Sequence, residues 1–107
     1  MKAAVRYKKM RTTISQVVGG KLYDVKTAVL VASNEYWDGH SWERQGRNKH
    51  LYKTSKDAFF VVFSTLYQGE KNYVEPVNFD EARRLYEELS EDQMDYFEAF
   101  GIEPEEA

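Results

Sequence analysis

The sequence predicts an α+β domain: a four- to five-stranded antiparallel sheet, made of two hairpins plus an edge strand, with one or two C-terminal helices on one face. Three observations predict it. The run Leu51 to Leu66, LYKTSKDAFFVVFSTL, reads as strand, polar turn and second strand, and Ala58 to Phe63 is the most apolar stretch of the chain. An upstream stretch, KLYDVKTAVLV, repeats its order of basic residue, Leu-Tyr, polar turn, Ala and apolar run. Downstream, apolar residues recur at helical spacing after an asparagine suited to capping.

At 107 residues the chain has the size of one domain. Residues 1–13 hold Lys2, Arg6, Lys8, Lys9 and Arg11 without an acid, which reads as a basic, disorder-prone arm. Met10 is an alternative start. The single domain is expected over 14–101 and an acidic tail over 102–107.

Ile14 to Val18 is expected as a short strand stopped by Gly19-Gly20. The two Leu-Tyr stretches then give two hairpins, with Asp24 and Thr27 in the first turn and Thr54 and Asp57 in the second as backbone-bonding turn formers. Gln68 to Asn72 is a turn, and Tyr73-Val74-Glu75 an edge strand ended by Pro76. Asn78 caps a first helix whose stripe is Phe79, Ala82, Leu85, Tyr86 and Leu89. Ser90 with Gln93 caps a second, carrying Met94, Phe97 and Phe100, and Gly101 stops it. The expected core is Leu22, Val29, Val31, Leu51, Phe59, Val61, Phe63, Leu85 and Leu89.

LYDVKTA, LYKTSKDAFFVV and EPVNFDEARRLYEEL together resemble a small bacterial and archaeal domain family. Its members show K-x-Y-(D/N)-T-x-T-A, then L-Y-x-T-x-x-G-x-F-F-L, then P-L-S-x-E-E-A. The likeness spans about residues 21–89. The chain departs from the pattern at Val25, where the family tends to have Thr, and at Asp57, where it tends to have Gly. The family carries no assigned activity and is often found among mobile-element genes. The resemblance implies the β-rich-then-helix order and no catalytic residue. It also makes a mobile-element-encoded inhibitor presenting an acidic helical surface conceivable.

Charge is unevenly placed: residues 1–69 carry 12 Lys+Arg against 5 Asp+Glu, and residues 70–107 carry 3 against 13. Absence of cysteine excludes disulfides, thiolate metal sites and a cysteine nucleophile. With no membrane-length apolar run and no signal-like start, a cytoplasmic location is expected.

The conspicuous surface candidate is the segment between the hairpins. It holds Tyr36, Trp37, His40, Trp42, Arg44, Arg47 and Lys49, including both tryptophans. Rings interleaved with cations suit single-stranded nucleic acid, and equally a protein interface. Packing of both tryptophans over the sheet is the plainest role. His40 and Glu43 stand at ligand spacing, with Asp38 and His50 nearby, but Gly39 and Gly46 oppose a regular helix there, so no metal and no cofactor is expected. No phosphate loop or nucleophile elbow organises the remaining polar residues. The expected function is therefore a non-catalytic interaction module binding a protein partner, with a homodimer as one form. Single-stranded nucleic-acid binding through residues 36–50 is the alternative.

Overall fold

The computed structural model describes residues 14–34, 47–65, 69–89 and 91–107. Strand β5 (Phe59–Thr65) is the centre of the molecule. Alternate side chains of a strand face opposite sides of a sheet, and both sides of β5 are covered. Phe59 and Val61 join a core beneath the helices, while Phe60 and Val62 join a second core on the other side; all four are at most 4% exposed. That is why the run is apolar without alternation.

β5 pairs in unbroken register with β4 (Arg47–Lys53), from Arg47 opposite Thr65 to Lys53 opposite Phe59. Thr54 closes the connecting turn: its Oγ1 accepts from the Lys56 and Ala58 amides at 3.2 and 3.1 Å, and its own amide donates to the Ala58 carbonyl at 2.8 Å. Asp57 sits in this turn at φ 64°, a left-handed backbone that costs a side chain its Cβ clearance. This is the position at which the resembled pattern has glycine. Asp57→Gly is expected to be more stable than Asp57→Ala by about 1 kcal/mol, read by urea denaturation; equal stabilities would mean the turn relaxes away from φ 64°.

The main sheet is antiparallel and five-stranded, in the order β6-β5-β4-β3-β7, with β3 spanning Val29–Ser33, β6 Tyr73–Val77 and β7 Glu91–Asp92. A bulge in β3 between Leu30 and Ala32 lets Val31 and Ala32 both serve the helix-side core.

The first expected hairpin forms differently. β2 (Lys21–Asp24) pairs with β1 (Ser15–Val18), from Ser15 opposite Asp24 to Val18 opposite Lys21, and β3 pairs with β4. Gly19 and Gly20, at φ 59° and 81°, supply the two positive φ values that a tight two-residue hairpin needs. Asp24 and Thr27 do hold a turn: Asp24 Oδ1 accepts from the Lys26 amide at 3.0 Å, and Thr27 Oγ1 donates to the Asp24 carbonyl at 3.3 Å. Their short 3-10 turn, Val25–Thr27, carries the chain from the small sheet to the large one instead of reversing it.

The β1–β2 hairpin thus covers the face opposite the helices. Tyr23 turns inward, its ring edge-on to Phe60 at 5.4 Å, and Leu22 points out at 62% exposure. Val29, at 56%, is also outside the core, at the end of β3 opposite Lys53. Of the expected core, Leu22 and Val29 are therefore corrected, and Phe63 is only half-buried.

Helix α1 (Phe79–Glu88) begins as expected, with Asn78 Oδ1 accepting from the Glu81 amide at 2.8 Å. Ala82, Leu85 and Leu89 carry it onto the sheet. The second helix starts later than expected. Glu91–Asp92 pairs with β3 as β7, and Asp95 caps α2 (Tyr96–Phe100) in a capping box with Glu98. Gly101, at φ 74°, ends it.

Pro76 lies within β6, at the sheet edge, rather than after it. This edge is a poor pairing template. The Val74 amide is taken by Gln16 Oε1 at 2.9 Å, and Pro76 has no N–H. The opposite edge is two acidic residues long. Among the described residues, no helix is long and apolar enough to cross a membrane.

Candidate functional surfaces

Of the residues singled out by sequence, Tyr36, Trp37, His40, Trp42 and Arg44 lie outside the described residues, as do Asp38 and Glu43. Arg47 opens β4 opposite Thr65. Lys49 projects to the helix side, where its Nζ meets Glu88 Oε2 at 3.2 Å, tying β4 to α1.

His50 is fully buried, with Nε2 3.0 Å from Ser64 Oγ. It faces Ser33 across the β3–β4 pair, and Ser64 faces Asn48 across β4–β5. Ser33, Asn48 and His50 thus make a buried polar row in a largely apolar sheet, and Asn48 Oδ1 has no hydrogen-bond partner among the described residues. With no exposure at His50, its contact with Ser64 is a hydrogen bond within the sheet's interior. Among the described residues, no three His, Asp or Glu side chains gather in a metal-binding arrangement.

Among the described residues, three surfaces offer binding chemistry. The first is the outer face of the β1–β2 hairpin. Gln16, Val18 and Tyr23 turn toward the sheet, so the opposite parity, Val17 and Leu22, turns to solvent. These two are cross-strand partners at 64% and 62% exposure, so they form one apolar patch. Of the other exposed rings, Phe79 lies edge-on to Phe59 and Phe100 and Tyr73 stacks on Phe63, while Phe97 is 51% exposed on α2.

The second is a cleft of ≈ 360 Å³ at the sheet end where β4 begins. The Phe63–Tyr73 stack, 4.8 Å between centroids, lines it beside Lys49 and Lys71. Glu70 is there as well, its Oε1 accepting from Thr65 Oγ1 at 2.7 Å.

Comparison with family models, curated proteins and solved structures found no match. The likeness to the small domain family therefore rests on the sequence pattern of residues 21–89 alone.

The third surface is a cleft of ≈ 420 Å³ between α1, β7, α2 and the C-terminal tail. Tyr86 and Tyr96 form its wall, 5.7 Å apart and nearly perpendicular. Burial and the nearby Asp92 push the Tyr86 hydroxyl above its ordinary pKa. On α1 itself the charges are largely paired. Arg84 bridges Glu81 and Glu88, and its hydrogen bond holds the Glu81 carboxyl below its ordinary value.

Of the residues that build these three surfaces, only Lys49, in the second, stands out from sequence as a binding candidate. Val17 and Leu22 look like ordinary strand residues until pairing sets their parity. Tyr86 lies on the helix stripe that packs on the sheet, and Tyr73 reads from sequence only as an edge-strand residue.

Proposed function

We propose that the chain is a non-catalytic interaction module that binds a protein partner in the cytoplasm. The observation that carries this reading is the Val17–Leu22 patch. A two-stranded hairpin with one covered face normally places polar side chains on the other, yet here the two most exposed large apolar residues of the described chain stand side by side. Ser15 and Asp24 form the neighbouring pair on the same face and give the apolar pair a polar border, as at the rim of a protein interface. The partner is a different protein or a second copy of this chain. In either case binding runs through the hairpin, because the β6 edge lacks donors at positions 74 and 76.

The test is the double substitution Val17→Ser with Leu22→Ser. Both positions are more than 60% exposed, so the midpoint in urea should move by less than the equivalent of about 1 kcal/mol. A protein retained by the wild-type chain should be lost by the variant; a second copy would show instead as a wild-type dimer and a variant monomer in sedimentation equilibrium. Identical retention and sedimentation for both chains would refute the reading.

A second reading is favoured by the cleft at the sheet end. Its Phe63–Tyr73 stack beside Lys49 and Lys71 offers a ring face and cations, the elements a single-stranded nucleic acid uses. Glu70 and the Lys49–Glu88 pair reduce its positive charge, which places this reading second.

A further inference from the structure

The cleft between the helices and the tail differs from an ordinary acidic surface because its aromatic wall is built in advance. The Tyr86 hydroxyl donates to the Met94 carbonyl at 2.8 Å, and the Tyr96 hydroxyl accepts from Arg83 Nε at 2.8 Å. Both rings also lean on Phe100, at 5.6 and 5.1 Å, and Leu89 behind them is buried. Their hydroxyls are engaged, so the cleft offers ring surface in a fixed arrangement.

Glu87, Asp92 and Glu105 stand around that wall, each on a different element and each exposed. Among the described lining residues the one cation, Arg83, is already engaged by Tyr96, by Asp80 at 3.5 Å and over the Phe79 ring at 5.7 Å. The lining therefore keeps an excess of negative charge beside two aromatic rings. Rings with surrounding carboxylates are complementary to a long cationic side chain: the stem lies on the ring, and the charged head meets a ring face and a carboxylate.

We propose that this cleft receives a lysine or arginine side chain from a basic segment of a protein partner. The proposal goes beyond the hairpin reading, because the cleft is built from the helices and the tail, on the side of the sheet opposite the hairpin, and is a second contact site. It reverses the simpler picture of an acidic helix entering a basic groove: the groove is on this chain and the inserted group is the partner's. Compared with open solvent, the site supplies ring contact and charge together. Binding should therefore keep a salt-resistant part that a diffuse acidic face would lack.

The experiment titrates the full chain with a hexa-arginine peptide by calorimetry at low and physiological salt, with amide shifts mapped by NMR. Glu87→Gln with Glu105→Gln should weaken binding about tenfold, because it removes two carboxylates from the cleft. Glu75→Gln with Asp57→Asn removes the same charge elsewhere and should change it by less than about twofold. Shifts should concentrate at residues 86–92 and 104–105. No binding, or equal weakening by both pairs, would overturn the proposal. Neither outcome touches Val17 and Leu22, so failure of the cleft and failure of the hairpin reading are read separately.

Discussion

Phe60→Ala is expected to destabilise the chain by about 4 kcal/mol, a large share of the roughly 5–15 kcal/mol that holds a domain of this size together. Phe60 has no exposure and lies between two rings: Tyr52 stacks on it at 5.4 Å and 12°, and Tyr23 meets it edge-on at 5.4 Å. Truncation leaves a cavity that a paired central strand cannot close. It also removes the surface on which Tyr23, and through it the β1–β2 hairpin, docks. Urea denaturation should show the loss, and hydrogen exchange should show residues 15–24 losing protection first. A cost below about 1 kcal/mol would mean that the hairpin is not packed on this face.

Leu85→Ala should cost about 3 kcal/mol on the other face. Leu85 is 4% exposed and, with Ala82 and Leu89, holds α1 against Val31, Leu51, Phe59 and Val61. Arg84 with Glu81 and Glu88 cannot substitute for this, because exposed pairs contribute at most about 1 kcal/mol. The two losses should add in the double variant, since Phe60 and Leu85 belong to separate cores on opposite faces of the sheet. Strong non-additivity would mean that the cores act as one.

The repeated Leu-Tyr pair shows what could be read from the sequence and what could not. In β4 both Leu51 and Tyr52 are buried, because both faces of the central sheet are covered. In β2 the hairpin has one covered face, so of Leu22 and Tyr23 only one can turn inward, and pairing with β1 selects Tyr23. Similar residues thus meet different environments. The distinction depends on which strand pairs with which, a long-range fact that a local pattern does not contain.

Local signals were reliable where the chemistry is local. Asn78 caps α1, Gly101 takes the left-handed conformation that ends α2, and the apolar run from Phe59 is the central strand. Ser90 and Gln93 misled because Asp95 with Glu98 offers a complete capping box, and Glu91–Asp92 is drawn into pairing with β3, where the Gln93 amide donates to the Val31 carbonyl at 2.8 Å. The candidate surfaces were less legible still. An exposed apolar pair, or two tyrosines whose hydroxyls are occupied by a carbonyl and a guanidinium, becomes visible only when strands and helices are assembled.

The central claim is that the chain binds a protein through the outer face of its first hairpin. Its most direct test is site-specific photocrosslinking in cells, with a benzoyl-phenylalanine replacing Leu22 in one chain and Lys56, exposed in the β4–β5 turn, in another. A discrete adduct from position 22 that is absent from position 56 is the expected result. No adduct from position 22, or the same adducts from both positions, would contradict the claim.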